Sequence, residues 1–221
     1  MLSEAARKDP AMSGQLNYER VEGDFYATPP ENVDCLAHYI DLRKRVIWEP
    51  ACGEGHISKR LHRHCDGVFS TDLFDRGYGK TGVDFLKTDR MASNESVRAN
   101  DIITNPPFDD MAEKFIRHAL DLTELSHSNS NGGMVAMFLR NEYDMASSRD
   151  DLFENHPAYM LKICVTKRPR WIEGSKGSPR HNYAWYVWDW DYALDPRDGA
   201  SVRYLHPKNA RPIGYEGRIL Q

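Results

Sequence analysis

The stretch from Asp101 to Phe108, Asp-Ile-Ile-Thr-Asn-Pro-Pro-Phe, constrains the fold more than any other part of this sequence. Three apolar or β-branched residues run into two prolines, which predicts a buried strand that stops abruptly. Neither Pro106 nor Pro107 can donate a hydrogen bond to a neighbouring strand, and each disfavours a helical conformation in the residue before it. The Asn105 side chain is therefore expected at the carboxyl end of a strand, where open α/β sheets bind ligands.

This corner has the groups needed to hold a planar amine. The Asn105 side-chain carbonyl and the Pro106 backbone carbonyl can accept both hydrogens of one NH2 group, and the Phe108 ring can stack on the ring that carries it. Two acceptors localise the nitrogen lone pair and aim it at an electrophile, which combines positioning with electrostatic catalysis. The alternative is a Pro-rich strand exit in which Asn105 is only a turn residue.

Composition and cysteine usage indicate one soluble domain of 221 residues with reduced thiols. No apolar run is long enough to cross a membrane, and the polar segment up to Glu19 is not a secretory signal. None of the four cysteines forms a Cys-x-x-Cys pair, so the sequence predicts neither disulfides nor a zinc site. His62, His64 and Cys65 lie close together but are more typical of a solvated helix end than of a metal site.

The charge distribution is more informative than the net charge of −4, which argues mildly against a surface that binds nucleic acid everywhere. From Lys162 to Arg180 there are six Lys or Arg residues and one acid, Glu173. A local basic face is compatible with a nucleic-acid strand in a groove, although such runs are often only solvated surface. The candidate phosphate-binding residues are Lys167, Arg168, Arg170 and Lys176.

Strands and helices alternate along most of the chain, from a helix that begins at Glu31 to a last strand that ends near Trp190. This alternation predicts a mostly parallel sheet with helices on both faces. The last two strands have no clear helix between them, so one of them is expected to be antiparallel. We expect residues 1–23 to be disordered, residues 24–192 to form the domain, and residues 193–221 to be an irregular tail.

A turn with two glycines follows the first predicted strand, in Glu49-Pro50-Ala51-Cys52-Gly53-Glu54-Gly55. A ligand can approach such a turn closely, but the turn lacks the third glycine of a dinucleotide fingerprint and the lysine of a phosphate loop. Asp72 ends the next strand, where a carboxylate can bind both hydroxyls of a ribose or simply cap a turn. Asp84 and Phe85 offer another acid beside an aromatic ring.

Taken in order, these motifs resemble those of S-adenosylmethionine-dependent DNA adenine-N6 methyltransferases. The resemblance covers residues 24–190 and begins with Phe25-Tyr26-Ala27-Thr28-Pro29. It implies a Rossmann-like class I methyltransferase fold, with a mostly parallel seven-stranded sheet, one antiparallel strand and helices on both faces. It also implies a compact, phage- or prophage-like enzyme in the cytoplasm of a bacterium or a phage-infected host.

The resemblance also implies roles for the motifs, with S-adenosylmethionine as cofactor and DNA as partner. The glycine turn would hold the methionine part of the cofactor, Asp72 its ribose, and Asp84 with Phe85 its adenine. The implied cofactor contacts are Tyr26, Thr28, Pro29, Glu49, Ala51, Cys52, Gly53, Gly55, Asp72, Asp84, Phe85 and Asn105. The implied catalytic residues are Asn105, Pro106, Pro107 and Phe108. Trp171 would contact the extruded base or, alternatively, only anchor its loop.

The chain departs from this family in having little room for a separate DNA-recognition domain. Only about thirty residues follow the last predicted strand, and base reading needs an element that enters a groove. Specificity is therefore expected to be short, loose or supplied by a second subunit. The Asn-Pro-Pro-aromatic motif also occurs in enzymes that methylate RNA or protein glutamine, and a catalytically silent nucleic-acid-binding module is a third hypothesis.

Overall fold

The structure is a computed structural model that describes residues 27–108, 110–128, 133–171, 181–192 and 199–214. Within these residues the strands are β1 (Val46–Glu49), β2 (Gly67–Ser70), β3 (Asp101–Thr104), β4 (Met134–Arg140), β5 (Tyr159–Val165), β6 (Tyr183–Asp189) and β7 (Ser201–Leu205). The α-helices there are α1 (Glu31–Tyr39), α2 (His56–Leu61) and α3 (Asp110–Ser128). The strands form one sheet in the order β2-β1-β3-β4-β6-β5-β7.

The sheet is mostly parallel, as predicted. Strands β2, β1, β3 and β4 run parallel to one another, and β7 runs parallel to β5. Strand β6 is antiparallel to both β4 and β5. The antiparallel strand is thus the last strand predicted from the sequence, and the Rossmann-like prediction is confirmed.

The tail contains a strand that the sequence did not reveal. Strand β7 pairs in register with β5, from Leu161 opposite Ser201 to Val165 opposite Leu205. The prediction of an irregular tail is therefore wrong over these five residues. The middle of β7 is exposed and only Leu205 is buried, so β7 is not part of a continuous apolar run, and backbone pairing to β5 defines it. The segment predicted to be disordered, residues 1–23, lies outside the described residues altogether.

Helices cover both faces of the sheet. Trp48 and Ile47 are neighbours on β1 and point to opposite faces, and both are buried. On the Trp48 face, α3 contributes Phe115 to the core. On the Ile47 face, α1 contributes Leu36 to a second core. Two covered faces leave the carboxyl edge of the parallel strands as the place for a ligand.

Candidate active site

A cavity of about 290 Å³ lies at the carboxyl edge of β1 and β3. The predicted site residues that line it are Thr28, Glu49, Ala51, Cys52, Asp72, Asp84, Phe85, Asn105, Pro106 and Pro107. Four other predicted residues, Pro29, Gly53, Gly55 and Phe108, are not among its lining residues. Tyr26 lies outside the described residues.

Asn105 sits where β3 stops, because the strand ends at Thr104 and two prolines follow. Its side-chain Nδ2 donates a hydrogen bond to Thr28 Oγ1 at 3.1 Å. Thr28 is itself buried and lies in the segment just before α1. This bond joins the amino-terminal segment to the end of β3 and fixes the orientation of the Asn105 amide.

Asp72 holds the glycine turn and also caps its own loop. Its carboxylate accepts a hydrogen bond from the Gly53 amide at 2.8 Å and one from the Phe74 amide at 2.9 Å. The capping role that the sequence left open is therefore present. A carboxylate has about four acceptor sites, so a buried Asp72 at the cavity wall can still accept hydrogen bonds from ligand hydroxyls.

The glycine turn packs against a neighbouring loop. Gly55 has a φ of +80°, and a Cβ added there would lie 2.4 Å from the Tyr78 ring. Gly55 is thus required by a close contact with Tyr78 and by its left-handed backbone. Residues Ala51 and Cys52, just before the glycines, form the wall of the cavity instead. The predicted approach of a ligand to the glycines themselves stays a prediction.

Glu49 is a buried acid at the end of β1, with 1% of its surface exposed. It accepts a hydrogen bond from Ser58 Oγ, which in turn lies 2.6 Å from Ser70 Oγ. Burial raises the pKa of Glu49 to about 8, and the nearby charge of Asp72 acts in the same direction. The Glu49 carboxyl is therefore mostly protonated at neutral pH, and a cation in the cavity would favour its ionised form.

Asp84 and Phe85 have structural contacts as well as a place in the cavity wall. The Asp84 carboxylate accepts from the Leu86 amide at 3.2 Å and pairs with Lys87 Nζ at 2.9 Å. Phe85 is 2% exposed and packs edge-on against Trp48, with ring centroids 5.2 Å apart. Phe85 is therefore mainly a core residue whose edge reaches the cavity.

Sequence reasoning missed several apolar wall residues, among them Leu73, Phe74 and Met111. Leu73 is 50% exposed and Met111 is 39% exposed, so they add accessible apolar surface to the cavity wall. Two of the missed residues could have been found from their position in the sequence. Leu73 and Phe74 directly follow Asp72, the acid at the end of the second predicted strand.

Phe108 and Trp171 meet on the face of the sheet that α1 covers. Their ring centroids are 6.3 Å apart, and Tyr183 contacts both rings, at 6.4 Å from Phe108 and 4.8 Å from Trp171. Phe108 and Trp171 are both half-buried. The structure thus brings together the two aromatic residues predicted to contact the same base.

The described basic residues Lys167, Arg168 and Arg170 are exposed and line a second cavity, beside the start of α1. Lys176 and residues 172–180 around it lie outside the described residues. In the described ranges, no group of three or more His, Cys, Asp or Glu side chains is arranged to hold a metal ion. His64 instead pairs with Asp34 at 2.9 Å. The same ranges contain no helix with the length and apolarity of a membrane span.

No protein-family model matches this sequence, and no curated protein matches it. Solved structures do match. A protein from Pyrococcus horikoshii assigned as an RNA methyltransferase superposes with a TM-score of 0.55 at 14% identity, covering 80% of this chain and 93% of that chain. A protein from Lactococcus lactis assigned as a hemolysin gives a TM-score of 0.51 at 7% identity, covering 82% and 93% of the two chains.

The chain has the Rossmann-like fold found in methyltransferases. A type I restriction-modification methyltransferase subunit from Streptococcus thermophilus is also similar, with a TM-score of 0.47 at 12% identity over 74% of this chain and 44% of that one. That likeness is too weak to support an argument. At identities of 7–14%, structural similarity shows only the fold. The substrate has to be inferred from the residues of the site.

S-adenosylmethionine is the cofactor that fits this cavity by its chemistry. It is an elongated molecule with a sulfonium cation, a ribose and an adenine. Three carboxyl groups line the cavity, together with one guanidinium group, that of Arg76. Those of Glu49 and Asp72 suit the sulfonium cation and the ribose hydroxyls, and Asp84 lies in the same wall. The exposed apolar surface of Leu73 and Met111 suits the adenine ring.

Proposed function

We propose that this protein transfers a methyl group from S-adenosylmethionine to the exocyclic N6 amine of adenine in DNA, after the target base has been flipped out. The observation that carries the proposal is that Asn105 and Asp72 line one cavity. The corner that can hold an amine and the carboxylate that can hold a ribose therefore face the same space. Acceptor and donor molecules bound there would be close enough for direct transfer.

Asn105 and Pro106 do the chemical positioning. When bound, the cofactor would supply an electrophilic methyl group: the new N–C bond would form as the S–C bond breaks, leaving S-adenosylhomocysteine, and the excess proton on N6 would be lost to solvent. The Asn105 Oδ1 and Pro106 carbonyl oxygens accept the two amine hydrogens, which localises the nitrogen lone pair. These hydrogens become more acidic as the nitrogen becomes tetrahedral, so both bonds strengthen in the transition state. Thr28 keeps the Asn105 amide in the required orientation through its bond to Nδ2.

Phe108 and Trp171 provide the surface for the extruded base. A base in a duplex cannot reach Asn105, so it must leave the stack at a cost of about a few kcal/mol. Stacking on an aromatic ring returns about 1–3 kcal/mol per base. The contact between Phe108 and Trp171, with ring centroids 6.3 Å apart, supports a shared role in holding one base.

The experiment that tests this function offers labelled S-adenosylmethionine to separate pools of single-stranded DNA, duplex DNA, RNA and protein. We expect label in DNA, recovered as N6-methyladenine by mass spectrometry. An Asn105→Ala preparation made in parallel controls for methyltransferases carried over from the expression host. Label only in RNA or in protein glutamine would contradict the DNA assignment. No label in any pool, from a protein that binds the cofactor, would contradict enzymatic activity.

A further inference from the structure

The buried carboxyl group of Glu49 takes no part in the transfer step proposed above, although Glu49 lines the cofactor cavity. Glu49 is the last residue of β1 and is 1% exposed. Its Oε2 accepts a hydrogen bond from Ser58 Oγ, at the far side of the turn. Within the described ranges, no Lys, Arg or His side chain pairs with this carboxyl group. A buried acid without a cationic partner is stable only in its protonated form.

Asp72 is a second acid in the same cavity wall, and its surroundings are different. It lies two residues beyond Ser70, which is opposite Glu49 in the pairing of β1 with β2. Its two carboxyl oxygens accept from the backbone amides of Gly53 and Phe74, which suits the ionised carboxylate. Glu49 has a single hydroxyl partner instead. Of the two neighbouring acids, Glu49 is therefore the one that keeps a proton.

The charged groups around Glu49 leave the cavity as the direction from which a cation can reach it. The cations of α2, Lys59 and Arg60, have partners elsewhere. Burial is the main cause of the raised pKa of Glu49, about 8, and the charge of Asp72 adds to it. No cation in the described part of the chain lowers this pKa. The other titratable groups of the cavity wall are Cys52, His56, Arg76 and Asp84.

We propose that Glu49 makes the cavity distinguish S-adenosylmethionine from S-adenosylhomocysteine by charge. Glu49 releases its proton to solvent when the cationic cofactor binds, and the carboxylate then stabilises the sulfonium charge. The product has a neutral sulfur, so the carboxylate loses its counter-charge after transfer and takes up a proton from solvent. The inference rests on the function proposed above and adds to it a means of weakening the hold on the product.

Protons and charges balance over one cycle. Cofactor binding releases one proton from Glu49, and methyl transfer releases one proton from the target amine. Glu49 then takes one proton back. The net release is the single proton that the transfer of a methyl cation to an amine requires.

Affinity for S-adenosylmethionine should therefore depend on pH, and affinity for S-adenosylhomocysteine should depend on it much less. The cofactor favours ionised Glu49, so raising the pH removes a proton that binding would otherwise have to displace. Between pH 6 and pH 7.5 the affinity for S-adenosylmethionine should rise about fivefold per pH unit, below the tenfold limit for one proton. This range lies below the pKa of about 7.7–8.0 typical of an α-amino group.

Isothermal titration at pH 7, in two buffers that differ in ionisation enthalpy, counts the protons directly. S-adenosylmethionine should release about 0.5–0.9 proton per site, and S-adenosylhomocysteine close to none. Glu49→Gln keeps a hydrogen-bonding group beside Ser58 and cannot ionise. Its proton release should fall to near zero, and its preference for S-adenosylmethionine over the product should drop about tenfold at pH 7.5. Glu124→Gln, an exposed acid on α3, is the matched control and should behave as wild type.

Difference infrared spectroscopy gives a second readout that needs only the wild-type protein. The carbonyl stretch of a protonated carboxyl group, assigned by labelling glutamate with 13C, should disappear when S-adenosylmethionine binds at pH 7. It should persist when S-adenosylhomocysteine binds. Persistence of the band with both ligands, or its absence from the unliganded protein, would overturn the proposal.

The calorimetric outcomes separate this proposal from the proposed function. Equal proton release with the two ligands, or release by S-adenosylmethionine that persists in Glu49→Gln, would overturn the role of Glu49 and leave methyl transfer to DNA intact. Failure of either ligand to bind would overturn both. Proton release that depends on Glu49, from a protein that transfers no methyl group to DNA, would overturn only the proposed function.

Discussion

At the scale of single residues, the candidate site depends on side chains whose neighbours change their chemistry. The Asn105 amide is oriented by the hydrogen bond that its Nδ2 donates to Thr28 Oγ1. Burial raises the pKa of the Glu49 carboxyl from an ordinary 4.5 to about 8. The position of Asn105 at the end of a strand could be predicted from the sequence, because the two prolines that follow it end the strand. The contact of Gly55 with Tyr78 could not, because it joins residues from different loops.

Glu49 should make the stability of the unliganded protein depend on pH. Its pKa in the folded protein is about 8, against an ordinary value of 4.5. The folded state therefore keeps the proton that the unfolded state releases, so stability should fall as pH rises from about 4.5 to about 8. Glu49→Gln keeps a hydrogen-bonding group beside Ser58 and lacks this titration. Its melting temperature should rise relative to wild type by several degrees over this range, since 1 kcal/mol shifts Tm by about 2–4 °C in a domain of this size.

The check is a series of melting temperatures from pH 5 to pH 8 for wild type, Glu49→Gln and Glu54→Gln. Glu54 is exposed in the same turn and serves as the matched control. Parallel curves for wild type and Glu49→Gln would show that Glu49 does not titrate in this range.

At the scale of elements, a polar cluster joins the strands at the end of the sheet opposite the candidate site. Arg45, just before β1, reaches Asp101 of β3 at 3.0 Å and Asp189 of β6 at 3.4 Å. Asp101 also accepts from the Met134 amide at the start of β4, at 2.8 Å. Burial raises the pKa of Asp101 to about 6 despite the opposing charge of Arg45. This cluster joins four strands and leaves the carboxyl edge to the cavity.

Removing the cation from this cluster should destabilise the protein. Arg45→Met would leave the buried Asp101 without its partner, at a cost of roughly 3 kcal/mol at pH 7. The cost should be smaller at pH 5, because a carboxyl with a raised pKa is then protonated in the folded state. Urea unfolding at both pH values measures the effect. Arg43→Met, which breaks an exposed pair with Asp41, should change stability by about 0.5 kcal/mol or less. Equal losses in the two variants would contradict a special role for Arg45.

The elements with a strong apolar signal could be predicted, and those defined by pairing could not. Strand β4 is buried over six of its seven residues and reads as an apolar run. Strand β7 exposes Val202 and Tyr204, and it is too short and too polar to stand out as an apolar run. Strand β7 forms because it pairs with the otherwise free edge of β5. That edge cannot be recognised from the local sequence of β7. The same limit applies to Phe108 and Trp171, which come together only through the folded sheet.

At the scale of the whole molecule, the two cavities differ in their balance of charge. The protein carries a net charge of −4; three acids and Arg76 line the cofactor cavity, whereas three cations and Glu31 line the cavity beside the start of α1. This arrangement would hold a cationic cofactor and an anionic strand side by side. The sequence predicted the basic stretch, but not the cavity that Lys167, Arg168 and Arg170 line beside the start of α1.

The basic residues should therefore control the salt dependence of DNA binding. We expect the logarithm of the association constant for duplex DNA to fall linearly with the logarithm of the salt concentration. Each phosphate contact contributes about 0.9 to this slope. A fourfold Ala variant should therefore flatten the slope by about 3.6; it replaces Lys167, Arg168, Arg170 and Lys176. Fluorescence anisotropy across a salt series measures it. A double variant of Arg90 and Arg98, exposed cations before β3, should keep the wild-type slope. An unchanged slope in the fourfold variant would mean that this stretch is ordinary solvated surface.

The central claim is that Asn105 acts on the target amine, and single-turnover methyl transfer to adenine-containing DNA tests it most directly. Rates are compared for wild type and Asn105→Ala, with cofactor binding measured on the same preparations. Asn105→Ala should slow transfer by roughly a hundredfold or more, because it removes a preorganised acceptor from the reacting centre. Cofactor affinity should change much less. A folded Asn105→Ala protein that transfers methyl groups at nearly the wild-type rate would contradict the mechanism.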